Sequence, residues 1–185
     1  MKKEIEIRFE LLNSKELTST LNKIAHKVTE VHQIDTYYDN EKNTFIKDID
    51  HIYDWLRVRE EEGIYSINYK HWLPEGAEIR TYCEEHELII SSAEKMKNLL
   101  KSIGFDILVI VDKKRTVWNY KNYEVSIDIV DGLGEYIEIE YKGSEINDVL
   151  EIHKSLYNVL SDISAKVGSE DHGGYGFKLI KKQIG

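Results

Sequence analysis

Along much of this 185-residue chain, apolar and polar positions alternate with a period of two, the pattern of a strand that buries one face. The alternation predicts strands over Glu4–Leu11, Asp54–Arg59, Tyr65–Lys70, Ile79–His86, Leu108–Val117, Glu124–Val130 and Tyr136–Tyr141. Helical spacing takes over in three places. Ser14 reads as the N-cap of a helix to about His26, with Leu17, Leu21 and Ile24 on one face, and His26 near its C-terminal end suits the helix dipole. Ser91 or Ser92 opens a second helix to about Ile103, stopped by Gly104 as the C′ residue. A third runs from Ile146 to about Ile163, with Val149, Ile152, Leu156 and Leu160 along one stripe. The glycine-rich stretch His172-Gly173-Gly174-Tyr175-Gly176 lacks the Lys-Ser/Thr of a phosphate loop, so it reads as a turn before a short tail, Phe177–Ile184. Many strands and few helices imply an α+β fold with a mainly antiparallel sheet. One proline, Pro74, and no low-complexity linker imply a single domain over residues 1–185.

The informative feature is what occupies the polar face. Glu4, Glu6 and Arg8 oppose Ile5, Ile7 and Phe9. Arg57 and Arg59 oppose Leu56 and Val58, and Asn68 and Lys70 oppose Ile67 and Tyr69. Arg80, Tyr82 and Glu84 fall against Ile79, Thr81 and Cys83. Lys113 and Arg115 share a face, as do Glu124, Ser126 and Asp128, and Tyr136, Glu138 and Glu140. For any one strand a solvated face is the ordinary reading. The set departs from it in two ways: the positions are Arg, Lys and Glu rather than a loose polar mixture, and the signs segregate by strand. The outermost strands carry carboxylate pairs and the middle strands carry cations. Repeated like charges two residues apart repel, so the pairs call for ligands of opposite sign. Carboxylate pairs suit divalent cations, and clustered Arg and Lys suit phosphate oxygens. An antiparallel barrel would bring these faces together, with a polar interior and the helices packed outside.

Composition narrows the setting. A formal net charge of −9 argues against nucleic-acid and anionic-membrane partners, and 41% hydrophobic residues exclude a disordered chain. No apolar run is long enough to span a bilayer, and no apolar leader follows Met1. The lone Cys83 cannot form an internal disulfide and fits a reducing compartment, so a cytoplasmic protein is expected. The histidines are scattered without metal-ligand spacing.

These residues resemble the CYTH family, the triphosphate tunnel metalloenzymes, which include class IV adenylate cyclases and thiamine and inorganic triphosphatases. Glu4-Ile5-Glu6-Ile7-Arg8 is similar to the family's opening Glu-x-Glu-x-Lys, with Arg in place of Lys. Asp35-Thr36-Tyr37-Tyr38-Asp39 resembles the stretch before its second strand, Leu56-Arg57-Val58-Arg59 its paired-arginine strand, Tyr69-Lys70 its lysine strand, and Lys113-Lys114-Arg115 its Lys-x-Arg strand. The stretch from Asp128 to Glu140 is similar to Asp-x-Val-x-x-Leu-Gly-x-Phe-x-Glu-Ile-Glu. In the fourth strand the family often shows Arg-x-Glu-x-Glu, where this chain has Arg80-Thr81-Tyr82-Cys83-Glu84.

The resemblance implies an eight-stranded, tunnel-like antiparallel barrel with a polar interior, in which Arg57, Arg59, Lys70, Arg80, Lys113 and Arg115 bind triphosphate oxygens. It also implies that Glu4, Glu6, Glu138 and Glu140, with Asp128 and Glu84 as further candidates, hold Mg²⁺ or Mn²⁺. Arg8 either contacts phosphate or pairs with Glu6. Glu4, Glu6, Arg57 and Lys70 are the expected catalytic residues. The expected partner is a small-molecule triphosphate or ATP, and the expected assembly a monomer or homodimer. Hydrolysis leads; cyclisation of ATP to cyclic AMP and pyrophosphate is the alternative, and a noncatalytic polyphosphate- or nucleotide-binding module the further one.

Overall fold

The computed structural model describes residues 2–42, 44–46, 52–77, 80–144 and 148–184. Its elements in chain order are β1 (Lys2–Glu4), β2 (Glu6–Leu11), α1 (Ser14–Ile24), β3 (His26–Asp39), β4 (Asp54–Glu61), β5 (Ile64–Leu73), β6 (Tyr82–Ile90), α2 (Ala93–Ser102), β7 (Asp106–Tyr120), β8 (Tyr123–Val130), β9 (Gly134–Tyr141), α3 (Val149–Asp162), β10 (Val167–Glu170) and α4 (Gly174–Ile184). The strands form one antiparallel sheet in the order β1-β6-β5-β4-β3-β7-β8-β9-β2-β10. β1 and β2 are one stretch broken at Ile5; the first part pairs with β6 and the second with β9. Consecutive residues therefore tie the two sides of the sheet together, and it curls into a tunnel. With β1 and β2 counted as one strand the tunnel has the expected eight, and β10 is a short addition beside β2.

The apolar faces point outward. Ile5, Ile7 and Phe9 join Val125, Ile127, Ile137 and Ile139 beneath Leu17 and Leu21 of α1 and Leu156, Val159 and Leu160 of α3. Val58 and Tyr38 pack under Ala93 and Leu100 of α2. Each such aliphatic side chain stabilises the fold by about 1.5–3 kcal/mol, so the core lies outside the sheet and leaves its concave face to polar groups.

Helix α4 lies on the concave side. Its Ile180 clusters with Ile52, Trp55 and Val109, and its Tyr175 with Val111, Val130 and Tyr136. Trp55, Val109, Val111, Val130 and Tyr136 share the tunnel-facing parity of their strands, so α4 caps one end of the tunnel. A Cβ on Gly176 would meet the Trp55 ring at 3.1 Å, and Gly174 enters the helix at φ +84°. The expected turn and tail are thus a helix, hidden in the sequence because its glycines disfavour helix while close packing requires one of them.

Other expectations shift at their edges. Asn13, not Ser14, stands at the N-cap of α1, and His26 opens β3 because Ala25 is already extended. β3 and β10 were not expected: β3 begins with three exposed residues, His26, Lys27 and Val28, that show no alternation. In α2 the Ser92 hydroxyl accepts from the Lys95 N–H at 3.2 Å, and Gly104 at φ +90° follows the helix. α3 is capped by Asp148, which accepts from Leu150 and Glu151 N–H; Ile146, its expected start, lies outside the described residues, as do Ile79 and His51. None of the described helices is long and apolar enough to cross a membrane.

Candidate functional site

Strand pairing places a buried carboxylate behind each pair of cations. On β3, Asp35 stands opposite Arg59 of β4. Its Oδ1 accepts from Arg59 Nε at 2.6 Å, and its Oδ2 from Arg59 Nη2 at 2.7 Å and Arg57 Nη1 at 3.2 Å. Burial alone would raise the Asp35 carboxyl, but Arg57 and Arg59 hold it well below the usual range. On β8, Asp128 stands opposite Arg115 of β7. It accepts both Arg115 Nε at 2.7 Å and Nη2 at 2.6 Å, with Lys113 Nζ at 3.4 Å and the Tyr175 hydroxyl at 2.8 Å. Burial and the Arg115 charge bring the Lys113 ammonium down to about 7. Arg57 Nε is buried with no hydrogen-bond partner, a donor that a bound anion would satisfy.

Carboxylates of β1, β2 and β9 face these cations. Glu4 takes Lys70 Nζ at 2.5 Å and the Cys83 thiol at 3.3 Å. Burial opposes its charge, yet Lys70 outweighs burial and lowers its carboxyl to about 2. Arg8 donates from Nε and Nη2 to Glu138 at 2.9 and 2.6 Å and from Nη2 to Glu6 at 2.8 Å, while Arg115 reaches the other Glu138 oxygen at 2.9 Å. Glu140 pairs with Lys142 at 2.6 Å. Burial and the Glu138 charge push Glu6 up to about 8, and burial and the Glu4 charge push Glu140 up to about 7. Arg8 thus joins Glu6 to Glu138 and also lies on the cavity wall, where both readings of it stay open.

One cavity is lined by Glu4, Glu6, Arg8, Arg57, Arg59, Lys70, Arg80, Lys113, Arg115, Glu138 and Glu140. Two expected residues are not on its wall. Asp128 is fully buried behind Arg115, where it orients cations. Glu84 pairs with Lys3 and His71 on the opposite parity from Cys83. The phase of β6 is the reverse of the expected one, because Arg80 precedes the strand, which begins at Tyr82. Cys83 faces Glu4, and Glu85 and Glu87 line the cavity instead. The sequence held that signal as Cys83-x-Glu85-x-Glu87. Arg80 itself donates to the Ile52 and His172 carbonyls near α4. Asp35, Lys142 and Tyr175 were also missed, the last two beyond the strands that carried the pattern.

The donor set fits a hard divalent cation by type. Among the described residues the wall carries nine carboxylates against eight Lys and Arg, with Asp35 and Asp128 directly behind. A polyanion entering alone would not find a net positive cavity, and a divalent cation would supply the missing positive charge. No three described Asp, Glu, His or Cys side chains converge in ligating geometry, because each facing carboxylate is turned onto a cation. A metal would exchange for those ion pairs.

The model of the CYTH domain matches residues 2–175. The chain belongs to the CYTH family. Among CYTH relatives, a protein of Methanocaldococcus jannaschii named "Putative adenylate cyclase" is 28% identical over 162 residues, 87% of this chain and 89% of its own. The solved structure of a protein from Vibrio parahaemolyticus described as a "putative adenylate cyclase" superposes with a TM-score of 0.78 at 18% identity, covering 98% of each chain. A Hippeastrum protein, described as a "putative adenylyl cyclase" that reveals a dominant triphosphatase activity, gives a TM-score of 0.66 at 18% identity, over 99% of this chain and 96% of that one. Both structural likenesses establish the tunnel fold.

Proposed function

We propose that the tunnel binds a metal-complexed triphosphate and hydrolyses its terminal phosphoanhydride bond. The observation that carries this reading is the pair of carboxylate-anchored cation walls, Asp35 behind Arg57 and Arg59 and Asp128 behind Lys113 and Arg115, facing Glu4, Glu6, Glu138 and Glu140 across one cavity.

Phosphoryl transfer asks a protein chiefly for positioning and for neutralising charge on the equatorial oxygens. Arg57, Arg59, Lys113 and Arg115 are held by their carboxylates before any ligand arrives, so little reorganisation opposes binding. Lys70, now on Glu4 at 2.5 Å, and Arg57, with its unsatisfied Nε, are the donors assigned to the transferring phosphate. Arg80 serves the capped end. Bound Mg²⁺ or Mn²⁺ would neutralise phosphate charge and orient the attacking water, held by Glu4, Glu6, Glu138 and Glu140 with Glu85 and Glu87 near. Water attacks the terminal phosphorus, the bond to the bridging oxygen breaks, and that oxygen leaves as part of pyrophosphate or a diphosphate ester. A wall carboxylate outside the four metal-holding ones, such as Glu87, accepts the proton that the water loses.

Hydrolysis leads because the Hippeastrum relative is described by a dominant triphosphatase activity. Cyclisation of ATP is supported by the adenylate cyclase name of the Methanocaldococcus relative. A noncatalytic binding module is the further reading; it draws on Tyr82 standing where the family often has a carboxylate, and Glu85 and Glu87 of β6 on the cavity wall weigh against it. Tripolyphosphate, thiamine triphosphate and ATP assayed side by side with Mg²⁺ or Mn²⁺ test the reading. Orthophosphate release from at least one is expected. Cyclic AMP from ATP would transfer the assignment to a cyclase, and tight binding without turnover would transfer it to a binding module.

A further inference from the structure

Tyr175 projects from the first turn of α4 into the cation wall and is 5% exposed. Its hydroxyl donates to Asp128 Oδ2 at 2.8 Å, the oxygen that also takes Arg115 Nη2 at 2.6 Å. Lys113 Nζ stands 3.4 Å from that same oxygen, longer than the 2.7–2.9 Å of a good charge-assisted bond. The face of the Tyr175 ring lies 5.2 Å from Lys113 Nζ and 4.7 Å from the Arg8 guanidinium, within the range of a cation–π contact. Two donors already occupy Oδ2, so the ammonium is kept from closing on Asp128, and the ring supports it where it lines the cavity.

We propose that Tyr175 is a positioning residue for Lys113: by filling Asp128 Oδ2 and backing the ammonium with its ring, it keeps that cation available to an anion in the tunnel. Helix α4 thereby acts on the anion site through one side chain. Removing the hydroxyl lets Lys113 close onto Asp128 and withdraw. The proposal rests on the phosphate-binding reading of Lys113 given above.

A double-mutant cycle tests it, read as the Kd of tripolyphosphate by calorimetry on the full chain with Mg²⁺ present. Tyr175→Phe is expected to weaken binding about tenfold, or about 1.4 kcal/mol. In a Lys113→Met background the same change should shift Kd by less than about twofold. An unchanged Kd for Tyr175→Phe, or an equal loss with and without Lys113, would overturn the proposal, because a merely structural role weakens both backgrounds alike. Wild-type protein that binds no tripolyphosphate would overturn the phosphate reading, and this inference with it. If Tyr175→Phe does not fold, 3-fluorotyrosine at position 175 alters the donor strength at nearly constant shape. Its effect on Kd must then vanish without Lys113; an effect that persists, or none at all, counts against the proposal.

Discussion

Binding of a divalent cation should release protons, and the buried carboxyls set how many. Glu6 is raised to about 8 by burial and the Glu138 charge, and Glu140 to about 7 by burial and the Glu4 charge. At pH 7 such groups are roughly nine-tenths and half protonated. A metal takes the carboxylate and not the acid, so about 1.4 protons leave per binding event at pH 7 and about 0.1 at pH 9. Titrating Mg²⁺ or Mn²⁺ by calorimetry in buffers of different ionisation enthalpy reads this number as the slope of apparent against buffer enthalpy. The affinity should also rise about tenfold between pH 7 and pH 8. Saturable binding with a slope near zero at pH 7 would refute the reasoning, since the metal would then be held elsewhere or by groups already ionised.

The metal-free protein should lose stability as pH rises from about 4.5 through about 8, because the folded chain keeps protons on Glu6 and Glu140 that the unfolded chain has given up. Lys113, lowered to about 7, acts oppositely and restores part of the loss above that pH; urea titrations across pH, with and without Mg²⁺, should show the fall only without metal. Asp128→Ala removes the carboxylate shared by Lys113 and Arg115 and leaves Arg115 with Glu138 alone; it should cost about 3–5 kcal/mol, seen in thermal denaturation as a drop of roughly 6–20 °C. Glu84→Gln should leave turnover within about twofold, whereas Glu87→Gln, on the cavity wall, should lower it about tenfold or more; equal effects would contradict the phase of β6.

Most of the tunnel could be read from the chain because period-two alternation reports which residues share a face, and here the shared residues were charged. Arg57, Arg59, Lys113, Arg115, Glu138 and Glu140 all line the cavity for that reason. Alternation does not report phase across an irregular segment, so counting onward from Arg80 put Glu84 where Glu85 and Glu87 stand. Nor does it report depth. Asp128 sits on the interior face yet is covered by the cations it holds, and the like role of Asp35 showed only once β3 was seen to lie between β4 and β7. α4 left no apolar periodicity strong enough to override its glycines, and with it Tyr175 went unseen.

The two hidden aspartates explain how an acidic chain keeps a cationic wall. Buried guanidinium and ammonium groups repel one another, and without a ligand they would favour solvent or deprotonation. One carboxylate per pair offsets that repulsion from behind, leaving the opposite side of each cation turned to the cavity. The arrangement has a cost: each aspartate also competes with the ligand for the cations it holds. Arg115 is bound tightly, with two bonds under 2.8 Å, and an anion can approach it only at its remaining donors. Lys113, at 3.4 Å from the shared oxygen, is the least committed cation of its wall and should contribute most to ligand affinity. Lys113→Met should therefore weaken tripolyphosphate binding more than Arg115→Met does in any comparison where both variants fold. Calorimetric Kd values read that order directly, and the reverse order would mean that the tighter ion pair, not the looser one, carries the ligand.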